Sequence, residues 1–152
     1  LVALRSTDAG QFDQKLQQLY NLLAFLGYAV ALPVTFIAPW LVQLLFGAAY
    51  QGAAPLLSVL IWAGLFANLS VVRNAHFIAL DWGKALLWAT SLGALSNILL
   101  NLLLIPRYGA LGAAVATCIS YWIAAHGACY TSRQLWPTAG MLLRAVYWPR
   151  WW

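Results

Sequence analysis

The sequence predicts an all-α polytopic membrane protein with four transmembrane helices. Hydrophobic residues make up 64% of the 152 residues and charged residues only 7%, whereas a soluble domain has about 25% charged residues to cover its surface. Long apolar segments alternate with short turns, and most lysines and arginines lie outside the apolar segments. We therefore interpret the cations behind the net charge of +5 as signals that orient the spans in the membrane, not as a nucleic-acid-binding surface. Membrane lipid is the expected surrounding of the chain.

The first segment, residues 1–19, is the most polar, and we predict a cytoplasmic amphipathic lead-in there. Apolar residues recur there at helical spacing, at Phe12, Leu16 and Leu19, and the pattern continues to Leu23 in the next segment. The first span, residues 20–46, carries no charge and is long enough to cross about 30 Å of hydrocarbon. Pro33 and Pro39 should kink it, with neighbouring helices satisfying the carbonyls that the prolines free.

Three further spans follow after short turns. A turn over residues 47–52 leads to Pro55, which suits the first turn of a helix. Polar turns at 81–84 and 106–109 then separate the remaining spans. The four predicted spans are residues 20–46, 55–80, 85–105 and 110–131. Residues 132–152 are basic and rich in Trp, which predicts a cytoplasmic or interfacial tail.

The distribution of cations predicts the orientation. With the amino end inside, these cations collect on the cytoplasmic side: Arg5, Lys15, Lys84, Arg133, Arg144 and Arg150. The outer side then has only Arg107. Because cytoplasmic loops are enriched in Lys and Arg, we predict that both ends are cytoplasmic.

Arg73 is the most informative single residue, because it lies about 10 Å inside the second predicted span. A cation within the membrane is by default a functional-site hypothesis, since burial without a partner costs several kcal/mol. The alternative is that the helix ends near Val72 and Arg73 reaches the headgroups. His76 is a candidate for proton coupling, against the simpler interpretation of a hydrogen-bonded residue near a helix end.

Polar residues of the third span share one face. Thr90, Asn97 and Asn101 fall within about 40° at 100° per residue, so they must face protein or water. They either make hydrogen bonds between helices or line an aqueous cavity and contact substrate hydroxyls.

The fourth span carries small residues at intervals of four, which let helix backbones approach closely. We predict a packing role for this row: Gly112, Ala116, Ser120 and Ala124. The chain shows no catalytic constellation, metal-ligand spacing or phosphate-binding glycine loop. Its two cysteines, Cys118 and Cys129, lie in one predicted helix about 16 Å apart, beyond disulfide reach. We therefore expect no enzyme activity, no cofactor and no metal.

Two stretches carry a family resemblance. Residues 44–50 (LLFGAAY) followed by 53–55 (AAP) resemble the loop between two late helices of polysaccharide flippases. Residues 96–109 (SNILLNLLLIPRYG), continuing into the small residues up to 117, resemble the next part. The order of these motifs over residues 8–131 is similar to the carboxy-terminal part of O-antigen and exopolysaccharide flippases, in the multidrug/oligosaccharidyl-lipid/polysaccharide exporter superfamily.

The resemblance implies the last four helices of a two-lobe transporter of 12–14 helices in the bacterial inner membrane. Such a transporter moves an undecaprenyl-diphosphate-linked sugar repeat unit between leaflets by alternating access, for polysaccharide biosynthesis. The partners would be this lipid-linked oligosaccharide and the remaining helices of the transporter. Arg73 would then attract the diphosphate, and Asn97 and Asn101 would meet sugar hydroxyls.

Two alternatives stay open at this point. A multidrug or cation antiporter of the same fold should carry a carboxylate deep in a span, and these four spans have none. A membrane glycosyltransferase or polymer ligase should have large outer loops with catalytic groups, and the predicted outer loops are only several residues long.

Overall fold

Long α-helices make up nearly all of the chain that the computed structural model describes, residues 9–148, and no strand occurs among these residues. The α-helices are α1 (Ala9–Phe46), α2 (Ala54–Ala79), α3 (Gly83–Ala125) and α4 (Trp136–Tyr147). Short 3-10 helices cover Ala48–Ala53, Gly127–Tyr130 and Arg133–Leu135. The stretches long and apolar enough to cross a membrane are Gly10–Phe46, Ala48–Ala79 and Gly83–Tyr130. The predicted all-helical class is confirmed, with three helices of membrane-spanning length.

The outer surface of the bundle is apolar over most of its length. Phe36 is 80% exposed, and Leu102 and Leu103 are 68% and 67% exposed. Soluble monomers rarely expose apolar patches larger than a few hundred Å². This surface is therefore suited to contact with lipid acyl chains rather than with water.

The predicted lead-in and first span form one continuous helix, α1, which is about 57 Å long at 1.5 Å per residue. Phe12, Leu16 and Tyr20 are each at most 3% exposed and lie four residues apart on the inner face. The polar residues beside them in the sequence are exposed: Gln11, Asp13, Gln14, Lys15 and Gln18. Because the buried stripe runs on without a break, the helix begins at Ala9 rather than near residue 20. Arg5 and Asp8 lie outside the described residues.

The carbonyl that Pro39 leaves without an N–H partner in α1 has a donor in the neighbouring helix, as predicted for that proline. Pro39 has no N–H to donate to the Thr35 carbonyl one turn earlier. The single O–H of Ser58 in α2 is shared between that carbonyl, at 3.3 Å, and the Ala54 carbonyl of its own helix, at 3.1 Å. Trp62 adds a second link, from its Nε1 to the Thr35 Oγ1 at 3.1 Å. The part of α1 around Pro39 is thus linked to α2 by hydrogen bonds.

Replacing Ser58 with Ala should destabilise the bundle by about 1 kcal/mol, because the carbonyl freed by Pro39 loses its donor. In a Pro39→Ala background the restored N–H of residue 39 serves the Thr35 carbonyl, and the Ser58→Ala loss should shrink to a few tenths of a kcal/mol. Unfolding by SDS in mixed micelles measures the stability of the unchanged chain, the two single variants and the double variant. An equal loss from Ser58→Ala in both backgrounds would contradict this assignment.

Helix α3 is a hairpin of two packed arms, residues 83–108 and 110–125. Gly109 between them has φ 58° and ψ −135°, a conformation open to Gly and strained for other residues. A methyl group built on Gly93 would lie 2.7 Å from the Cβ of Ala124. One built on Gly112 would overlap the Leu104 carbonyl oxygen. The two arms therefore run antiparallel, in contact along their length.

The break within α3 differs slightly from the predicted boundaries. The third span was expected to end before Pro106, but the helix continues through Pro106 and breaks at Gly109. Proline removes one donor yet keeps a helical φ, whereas the φ of Gly109 cannot continue a right-handed helix. The second arm ends at Ala125 rather than 131, and the 3-10 helix Gly127–Tyr130 follows it.

The largest core cluster lies at the end of the bundle where the start of α1, the end of α2 and α4 meet. Leu142 and Ala145 of α4 are fully buried there. Gln17 Nε2 donates to the Met141 carbonyl at 3.1 Å, and further along both helices Tyr28 Oη donates to the Val146 carbonyl at 2.9 Å. The described part of the predicted tail is thus a helix that runs alongside α1. Residues 149–152 lie outside the described part.

Candidate functional site

A cavity of about 430 Å³ with several polar lining residues lies between α2 and the two arms of α3. Its polar lining comes from three helical segments: Ser70, Arg73 and Asn74 of α2, Thr90 and Asn97 of the first arm, and Thr117, Ser120 and Tyr121 of the second arm. Hydrocarbon cannot satisfy such groups, so in a membrane-spanning bundle they turn toward one another. The cavity is the place where they meet.

Arg73 lies inside α2, not at its end. The helix continues to Ala79, about 9 Å beyond Arg73 along its axis, and the Arg73 side chain is only 2% exposed. The alternative in which the helix ends near Val72 and Arg73 reaches the headgroups does not describe this structure. Arg73 forms part of the cavity wall.

The guanidinium of Arg73 is partly satisfied. Its Nη1 donates to the backbone carbonyl of Ala124 in the second arm of α3, and its Nη2 donates to the Asn74 Oδ1 at 2.6 Å. The Phe77 ring centroid lies 5.6 Å from the Cζ. The buried Nε has no hydrogen-bond partner among the residues that the structure describes. Since a guanidinium has five N–H groups, donors remain for a ligand.

The positive charge of Arg73 has no carboxylate counterion among residues 9–148. Asp13 and Asp81 are both exposed, and within the described part of the chain Arg73 donates to a carbonyl and an amide oxygen rather than to a carboxylate. An uncompensated buried charge carries a desolvation cost of several kcal/mol. A phosphate would offset that cost, because its oxygens match the planar donor fork of arginine. The cavity is therefore suited to an anion.

The structure brings Asn97 to the cavity with Arg73, whereas Asn101 lies one turn further. Asn101 Nδ2 donates to Asn97 Oδ1 at 2.9 Å. With its oxygen occupied, Asn97 offers its own amide N–H groups to the cavity. Asn101 instead lines a separate, mostly apolar groove of about 360 Å³ with Ile98 and Leu102. Asn101 can thus orient Asn97, while its own contact with substrate stays a prediction.

His76 does not line the cavity. It is 7% exposed and packs among aromatic rings, with the Phe12 and Trp82 ring centroids 5.7 and 6.2 Å away. Proton coupling at His76 stays a prediction.

The row of small residues lies where the arms of α3 pack. Gly112, Ala116 and Ser120 are buried, and Ala124 is packed against Gly93. Ser120 and Ala124 also reach the cavity, so the row both closes the hairpin and forms one wall.

The second arm contributes cavity residues that the sequence reasoning missed. Thr117, Ser120, Tyr121 and Ala124 line the cavity at helical spacing. The hydroxyl groups of Thr117, Ser120 and Tyr121, which recur at this spacing in an apolar helix, were a signal in the sequence that could have identified this face. The hydroxyls of Thr117 and Ser120 donate to carbonyls one turn earlier, at 2.9 and 2.7 Å. Their oxygens therefore remain as acceptors for ligand hydroxyls.

The polar groups that line the cavity are hydrogen-bond donors and acceptors. Residues 9–148 contain no group of three His, Cys, Asp or Glu side chains that could hold a metal ion. Guanidinium, amide and hydroxyl groups line the cavity, and they bind anions and hydroxyls by hydrogen bonds. What the arrangement can do is recognise a ligand with an anionic and a polyhydroxyl part.

The chain is similar to an uncharacterized membrane protein of Methanocaldococcus jannaschii, with 26% identity over 105 residues. The aligned stretch is 69% of this chain and 20% of that protein, so the chain spans about a fifth of the length of the curated relative it matches. No protein-family model and no solved structure matches the sequence. This similarity and the long apolar helices together indicate a membrane protein.

Proposed function

We propose that this chain is part of a transporter that flips lipid-diphosphate-linked oligosaccharide repeat units across the bacterial inner membrane by alternating access. The observation that carries the proposal is Arg73, a buried cation that lines a polar cavity without a carboxylate counterion among the described residues. An intramembrane cation of this kind marks a substrate pathway by default. The class of transporter is proposed from the order of the motifs over residues 8–131, which is similar to that of polysaccharide flippases.

The cavity chemistry fits the head of such a substrate. The free donors of Arg73 suit a diphosphate, and Asn97 and Ser120 suit sugar hydroxyls. A volume of about 430 Å³ falls at the lower end of the roughly 300–1,000 Å³ of small-molecule sites. This volume accommodates the diphosphate and adjoining sugar rather than a whole repeat unit. The rest would extend toward the remaining helices of the transporter.

Four membrane crossings follow if the arms of α3 cross separately. The first arm, residues 83–108, is about 39 Å long, and the second arm with the 3-10 helix Gly127–Tyr130 adds up to about 32 Å. Each length suffices for about 30 Å of hydrocarbon. Lys84 and Arg133 flank the open end of this hairpin, and Arg107 is near its tip. The positive-inside tendency then favours cytoplasmic ends for the whole chain.

Removing the gene for the parent protein tests the proposal. Sugar-linked lipid should accumulate on the cytoplasmic leaflet, and surface polysaccharide should fall until the gene is restored. The measurement is accessibility of the lipid-linked sugar to a periplasmic glycosidase or lectin, alongside surface polysaccharide. Normal surface polysaccharide would contradict the proposal, and altered drug susceptibility in its place would favour an antiporter of the same fold.

A further inference from the structure

The second arm of α3 is capped at its carboxyl end by a different helix. The last four carbonyls of any helix lack an intrahelical N–H partner. Here the His126 N–H serves the Trp122 carbonyl at 2.8 Å, and the Cys129 Sγ lies 3.6 Å from the Ala125 carbonyl. The Ala124 carbonyl accepts from Arg73 of α2 instead. A cation at this place also suits the negative end of the helix dipole.

The cap and the anion site use the same guanidinium. Arg73 and Ala124 both line the cavity, so an anion that reaches Arg73 arrives beside the Ala124 carbonyl. A phosphate oxygen is charged and makes stronger hydrogen bonds with a guanidinium than a peptide carbonyl does. An entering anion and the Ala124 carbonyl therefore compete for the Nη1 of Arg73.

We propose that the bond from Arg73 to the Ala124 carbonyl is a latch, and that a diphosphate in the cavity releases it. The inference rests on the proposed function, because it makes the head of the transported lipid the group that opens the hairpin end. Release leaves the Ala124 carbonyl uncapped and loosens the following turn, Gly127–Tyr130. Substrate binding in the cavity is thereby coupled to a local change of the bundle.

Cys129 is a natural reporter of this turn, because its side chain is fully buried in the latched state. In a Cys118→Ala background it is the one remaining cysteine of the 152 residues. The test follows the rate at which N-ethylmaleimide modifies Cys129 in the full chain in detergent, with and without inorganic diphosphate. Diphosphate should raise the rate roughly tenfold, which corresponds to about 1.4 kcal/mol of opening free energy.

Arg73→Gln should react at the raised rate without diphosphate and gain nothing from its addition. Lys84→Gln, which removes an exposed cation, is the matched control and should behave like the parent. Arg73→Lys keeps a cation that can donate to the Ala124 carbonyl, and it is the variant to use if Arg73→Gln does not fold. Its baseline should be slow, and its response to diphosphate weaker. A fast baseline in Arg73→Lys, or a slow one in folded Arg73→Gln, overturns the latch.

Direct titration of diphosphate binding separates the two proposals. If diphosphate binds and the Cys129 rate does not change, the latch is wrong and the proposed function stands. If diphosphate does not bind at all to the chain that retains Arg73, the latch and the anion site of the proposed function are both wrong.

Discussion

Replacing Arg73 with Met should lower the proposed transport at least roughly a hundredfold and leave the helix bundle folded. Methionine fills similar space without a charge, and apolar residues often replace buried ions at no cost in stability. The lost cap on the Ala124 carbonyl and the lost desolvation penalty of the guanidinium offset each other. The free energy of unfolding should therefore change by no more than about 2 kcal/mol.

The measurement pairs surface polysaccharide in cells with protein level and stability in detergent. Arg144→Met is a matched control, because Arg144 is an exposed cation of α4 that does not line the cavity. Arg73→Lys should retain partial transport, since a lysine binds phosphate as a point charge without the planar fork. Normal export by both the Met and the Lys variants would show that Arg73 does not serve the substrate.

Charge and amphipathic pattern predicted part of the cavity, and packing decided the rest. Arg73 stood out because a cation deep in an apolar segment is rare whatever the fold. Asn97 followed from a polar arc that had to avoid lipid. The same polar arc predicted that Asn101 would face the same cavity as Asn97, yet in the structure Asn101 lines a separate groove. How far a helix is rotated against its neighbours depends on packed side chains, which periodicity along one helix does not contain.

Helix boundaries show the same division. Hydropathy indicates where a segment enters the hydrocarbon, whereas a helix continues as long as its residues keep helical dihedral angles. For this reason α1 begins at Ala9 and continues through residue 20, where the membrane span was predicted to begin. In α3 the proline was the conspicuous residue, whereas Gly109 supplies the positive φ that reverses the chain. The contribution of Ala124 to the cavity depends on both effects. Its carbonyl becomes available only because the second arm ends at Ala125 and the hairpin carries it to α2.

Adding a single methyl group at Gly93 should destabilise the α3 hairpin by about 2–3 kcal/mol, because the new Cβ would overlap the Cβ of Ala124. Neither atom lies on a flexible part of a side chain, so relief requires a shift of one arm. That shift also moves the Ala124 carbonyl away from Arg73. Ala124→Gly restores the space, and the double variant should therefore recover most of the lost stability.

Two further glycines distinguish close packing from the general cost of changing a helix. Gly112→Ala should be as harmful as Gly93→Ala and have no such rescue, because its obstacle is the Leu104 backbone carbonyl. Gly64→Ala has nothing within 4 Å of the added Cβ and should stabilise α2 by up to about 1 kcal/mol. Unfolding by SDS gives the stabilities, and Cys129 labelling reports the hairpin end. If Gly93→Ala and Gly64→Ala shift stability alike, the two arms of α3 are not in contact, and the cavity that they line together with α2 cannot form.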